Sequence, residues 1–110
     1  MPALTFTPTW DIDRVSQVDA ANWVEYTTDD QVRAVTIRNE TPAGSANRVR
    51  VGPPGVSGVF SSAHRHHDLG PGECVRITMS PGRGRVPAGK RSIMISVDTN
   101  PTVVAFLQEG

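Results

Sequence analysis

The feature that most constrains this 110-residue chain is its β-branched excess: fourteen Val, five Ile and ten Thr stand against three Leu. Stiff χ1 rotamers suit these residues to a pleated, half-buried surface. Ten Gly and nine Pro are scattered through the same chain and leave little room for long helices. The composition therefore predicts an all-β single domain, a β-sandwich or jelly roll of about seven to nine short strands. Hydrophobic residues make up 37% of the chain, so one modest core is expected, and oligomerisation would add to its stability.

The strands can be placed from alternation and turn chemistry. Trp23–Thr27 reads as one strand, and Val32–Arg38, closing at Asn39, as another. Arg48-Val49-Arg50-Val51 alternates strictly, which turns Val49 and Val51 inward and the arginines outward. Gly70-Pro71-Gly72 is a turn, followed by a strand from Cys74 with Val75, Ile77 and Met79 on one face. Ile93, Ile95 and Val97 point inward from the next strand. The apolar run Thr102–Gln108 implies a last strand buried on both faces. Residues 1–22 read as an extended, acidic N-terminal arm and 23–110 as the sandwich domain. Within the arm, residues 11–18 could form one helical turn capped by Asp11, or an extended linker.

Charge excludes some functions. Eleven basic residues balance eleven acidic ones, which argues against nucleic-acid binding or membrane attachment through overall charge. The balance is uneven along the chain. Residues 1–32 carry six acids and one base, net −5, while residues 33–110 carry ten bases and five acids, net +5. Such a split can steer an acidic segment onto a basic surface of the same or a neighbouring subunit. Cys74 is the single cysteine, so an intrachain disulfide and a CxxC centre are both excluded. No apolar stretch is long enough to span a membrane, and the opening MPALTFTPTWDID does not read as a signal peptide. Synthesis and use in a reducing cytoplasm, or in an assembly built there, is the expectation.

Four groups of residues are candidates for chemistry. The segment His64-Arg65-His66-His67-Asp68 holds an HxH pair which, on a strand, would point two imidazoles the same way for a metal. It partly resembles the cupin metal motif, with five residues between Gly58 and the pair and Pro87-Ala88-Gly89 like the second motif. The cupin glutamate is missing, since its positions hold Gly70 and Pro71, and Ser92 stands where the second motif has histidine. The competing expectation is a polar loop or edge strand. Cys74 reads as a buried or half-buried structural thiol. Arg83, Arg85, Lys90 and Arg91, with Arg48 and Arg50, make a basic set without interleaved aromatics, better suited to an acidic protein surface than to nucleic acid. No carboxylate pair is spaced as a general acid and base, and Asp29, Asp30 and Asp98 read as turn residues.

A longer pattern runs from Val35-Thr36-Ile37-Arg38-Asn39 through Arg48-Val49-Arg50-Val51-Gly52 and Val56-Ser57 to Leu69-Gly70-Pro71-Gly72-Glu73, and ends in the strand Thr102–Leu107. This order resembles small β-sandwich virion proteins of tailed bacteriophages, of the capsid-decoration, head-fibre and tail-component types. The resemblance implies a non-enzymatic homo-oligomer without cofactor, located in the virion and assembled in the host cytoplasm. Its implied partner is a major capsid protein or another virion protein. On this reading Leu4, Phe6 and Trp10 would anchor the arm and Arg83, Arg85, Lys90 and Arg91 would line an interface. The alternative is a cupin-like metal or small-molecule binding protein using His64 and His66.

Overall fold

The computed structural model describes residues 12–17, 20–29, 32–78, 90–99 and 102–109, with no side-chain description for Asp29, Lys90 and Arg91. Leu4, Phe6, Trp10, Arg83, Arg85 and Met79 therefore lie outside the described residues. Eight strands are present: β1 (Asp13–Gln17), β2 (Val24–Asp29), β3 (Ala34–Asn39), β4 (Val49–Gly52), β5 (His67–Leu69), β6 (Cys74–Thr78), β7 (Lys90–Val97) and β8 (Thr102–Glu109). The described residues contain no helix.

The strands pair as a long hairpin rolled on itself. β1 pairs with β8, β2 with β7, β3 with β6 and β4 with β5, all antiparallel. Two further pairings, β3 with β8 and β4 with β7, join these ribbons into sheets of order β1-β8-β3-β6 and β2-β7-β4-β5. This nesting of four hairpin rungs into two four-stranded sheets is the jelly-roll arrangement. The expectation of an all-β sandwich or jelly roll is met.

The core lies between the sheets. Val49 and Val51 of β4, Ile93, Ile95 and Val97 of β7, and Val35 and Ile37 of β3 are all buried there, as the alternation requires. Tyr26 and Phe106 meet across the gap with ring centroids 5.0 Å apart. Burying each such side chain contributes about 1.5–3 kcal/mol. A polar staple accompanies them. Gln17 of β1 accepts a 2.9 Å hydrogen bond from the Tyr26 hydroxyl and donates a 3.1 Å bond to the Ile95 carbonyl, tying one sheet to the other.

Three local expectations change. Residues 13–17, read as helical turn or linker, are strand β1, because the edge of β8 supplies a hydrogen-bonding partner that the polar sequence DRVSQ does not advertise. The strand buried on both faces is β7, whose outward-facing Met94 and Ser96 are covered as fully as its inward residues. β8 instead leaves Val103 exposed on its outer face. Cys74 is exposed, not buried, because β6 turns Val75 and Ile77 toward the core and so turns Cys74, Arg76 and Thr78 out.

Two of the resemblance motifs meet at Asn39. Its side chain is fully buried at the end of β3, where Nδ2 donates to the carbonyls of Asn47 (2.9 Å) and Leu69 (3.0 Å) and Oδ1 accepts from the Thr41 N–H (3.0 Å). Its backbone accepts from Gly72 and donates to the Glu73 carbonyl. Gly70-Pro71-Gly72-Glu73 is a tight turn closed by the Glu73 N–H on the Gly70 carbonyl, with Gly72 at φ +78°, a backbone that glycine adopts without penalty. The strand-ending asparagine and the LGPGE segment are thus two halves of one lock between β3, β5 and β6.

Candidate functional site

The candidate site grows from the long connection between β4 and β5, which folds back over the sheet. Asn22 bridges to Val59, the Trp23 N–H donates to the Gly58 carbonyl, and the Phe60 N–H donates to the Ala21 carbonyl. These bonds bring Trp23, Phe60, His64 and His66 together, with Arg50 beneath. Trp23 lies 5.9 Å from both Phe60 and His64 between ring centroids, and Phe60 meets His66 edge-on at 4.9 Å. The Arg50 guanidinium stacks 4.0 Å from the Phe60 centroid, a cation–π contact that offsets the burial of its Nη1, which has no hydrogen-bond partner among the described residues. The far edge of the Trp23 indole presses on Gly52, where a Cβ would sit 2.9 Å from Cη2.

Beside this cluster a cleft of about 570 Å³ is lined by Val51, Gly52, Pro53, His64, Arg65, His66, His67 and Ile77. That volume falls in the range of small-ligand sites. Its apolar lining comes from β4 and β6, one strand from each sheet, and its nitrogen groups come from residues 64–67.

Hydrogen bonding sets the tautomers of the two half-buried imidazoles. His64 Nδ1 accepts from the Trp23 indole N–H at 3.0 Å and from the Ser61 backbone N–H at 3.2 Å. Both partners can only donate, so Nδ1 is bare and the ring proton sits on Nε2. His66 Nδ1 lies 2.7 Å from the His64 carbonyl, which can only accept, so His66 carries its proton on Nδ1. Neutral His66 therefore presents a bare Nε2.

This corrects the expected HxH pair. His64 and His66 precede β5 rather than sitting on a strand. A metal-ligating histidine ordinarily donates its second N–H to a carboxylate or carbonyl. His66 has that arrangement; His64 has the reverse, and metal binding at its Nε2 would turn an N–H on Nδ1 against two other N–H donors. Among the described residues no group of three or more His, Cys, Asp or Glu is placed to hold a metal ion.

The remaining candidates are dispersed. Lys90 and Arg91 open β7, opposite Asp29 and Thr28 of β2. Arg48 pairs with Asp68 at 2.8 Å, and the Asp68 hydrogen bond, then its charge, hold Arg48 above the ordinary arginine range. Glu109 does the same for Arg76, by hydrogen bond and then by charge. Asp98 is a turn residue as expected, accepting the Arg48 N–H at 2.8 Å. Trp23, Phe60 and Gly52 carry no site signal in the sequence, and Arg50 stands out only within the basic set; their separation along the chain hides their contact.

Fold and cleft together define a jelly-roll domain with a histidine-rimmed cleft at one end of β4. Compared with protein-family models, with curated proteins and with solved structures, the chain shows no significant match.

Proposed function

We propose that this chain is a non-enzymatic structural virion protein, which decorates or stabilises a phage capsid or tail through protein–protein contacts as a homo-oligomer. The observation that supports this most directly is the lock around Asn39. Two motifs of the resemblance, the strand-ending Asn39 and Leu69–Glu73, meet there in one hydrogen-bonded unit within a jelly roll, an architecture that recurs in viral shells. Fold-level analogy carries the step from architecture to role. A second support is the edge strand β6. Among the described residues it pairs only with β3, and it exposes Cys74, Arg76 and Thr78 while leaving Val75 and Ile77 half-buried. An edge of that kind offers backbone donors and acceptors to a neighbouring subunit.

Light scattering on the purified protein, with metal analysis of the same sample, tests the reading. A closed, metal-free oligomer is expected. A chain that stays an 11.8 kDa monomer at concentrations of about 100 μM, weaker than any specific assembly contact of standard size, overturns it. Stoichiometric metal would reinstate the cupin-like alternative and contradict the His64 tautomer.

A further inference from the structure

We infer that the cleft at the end of β4 is a binding site for a small hydroxylated carboxylate, such as a hydroxy acid or a sugar acid. The cleft adjoins the edge strand β6 invoked for assembly, which contributes Ile77 to its floor. Three features of its rim select this chemistry. Among the described residues Arg65 lines the cleft and no carboxylate does, which makes the lining complementary to an anion. His64, with Nδ1 held by Trp23 and Ser61, has its Nε2–H left as a donor, the second group a carboxylate needs. His66, with Nδ1 committed to the His64 carbonyl, has a bare Nε2 that can accept from a donor on the ligand. A simple carboxylate has no proton to give it; a hydroxyl does.

The floor fits the same ligand class. Val51, Pro53 and Ile77 present apolar surface against which the C–H face of a short carbon chain or ring packs. Both imidazoles are held before any ligand arrives: His64 by two hydrogen bonds, and His66 by one hydrogen bond and the edge of Phe60. Preorganisation of this kind removes part of the ordering cost of binding. Among the described residues, the other charged or titratable groups near the rings are His67 on the same segment and Arg50 of β4. Trp23, before β2, and Ile77, on β6, bring none.

The test is a nitrogen-15 NMR titration of the full chain, observing the histidine ring nitrogens. Glucuronate is the probe; acetate lacks its hydroxyls and methyl glucoside lacks its carboxylate. The free protein should show the proton of His64 on Nε2 and that of His66 on Nδ1. Glucuronate should give saturable shifts at both Nε2 atoms, and acetate and methyl glucoside should each bind ~10-fold more weakly, the value of one lost charged or well-placed hydrogen bond. His66→Phe and Arg65→Gln should each weaken glucuronate ~10-fold. Arg65 is exposed, so its variant separates binding from folding, and unchanged core amide signals confirm the fold of both. The proposal is overturned if glucuronate gives no saturable shift up to ~100 mM, the weak limit of specific binding. It is equally overturned if acetate or methyl glucoside binds as tightly as glucuronate, or if the two tautomers are reversed.

Discussion

Replacing Asn39 by alanine removes three side-chain hydrogen bonds at once, those to the Asn47 and Leu69 carbonyls and from the Thr41 N–H. Each such bond contributes about 1 kcal/mol net, and each buried partner left unsatisfied adds up to a further 1–3 kcal/mol. Because Asn39 is fully buried, water cannot replace the lost side chain without a local opening. The expected cost is therefore about 3–5 kcal/mol, against a total stability of about 5–15 kcal/mol for a domain of this size. Urea unfolding followed by circular dichroism reads it directly. With a slope of about 1–3 kcal/mol per molar urea, the midpoint should fall by about 2 M with the slope unchanged. Asn39→Asp is the sharper variant, since it keeps the shape and the acceptor for Thr41 but turns a carboxylate toward two carbonyl oxygens. It should destabilise at neutral pH at least as much as alanine does. An alanine variant within 1 kcal/mol of the parent, or a neutral aspartate variant, would refute the lock as the unit that joins the motifs.

Two other substitutions test different parts of the structure. Tyr26→Phe should cost about 1 kcal/mol by the same denaturation assay, and less in a Gln17→Met background, because the two groups share an inter-sheet bond; additive losses would exclude that coupling. Gly52→Ala should cost about 1–3 kcal/mol by overpacking against the buried indole and should shift Trp23 emission, whereas Gly72→Ala, where nothing crowds the added methyl, should cost about 1–2 kcal/mol from positive φ alone and leave Trp23 emission unchanged.

Much of the fold is legible from alternation. Val49 and Val51 flanked by Arg48 and Arg50, and Ile93, Ile95 and Val97 at every second position, identify inward faces before any partner strand is known. The turn at Gly70–Glu73 is equally readable, because proline presets one dihedral angle and glycine permits the next. β1 is not readable: Asp13-Arg14-Val15-Ser16-Gln17 has one apolar residue, and its strand character comes from pairing along β8. Burial on both faces was expected of β8, which has the longer apolar run, yet it belongs to β7. The cover over β7 includes residues near Ala21, whose carbonyl receives the Ser96 hydroxyl.

The candidate site divides in the same way. His64 and His66 stand out in the sequence as residue types, and the sequence invites a strand-borne metal pair. The ring proton of His64 is set chiefly by the indole of Trp23, 41 residues earlier, and that of His66 by the neighbouring His64 carbonyl. Composition and periodicity by themselves determined the all-β class, the inward residues of the strongest strands and the tight turns, because these depend on local backbone preference and on a two-residue repeat. Strand order, the identity of the doubly buried strand, the Asn39 lock and the donor–acceptor character of the cleft were decided only by tertiary structure. Each depends on which distant donor meets which acceptor once two sheets close over a common core, and no local pattern records that.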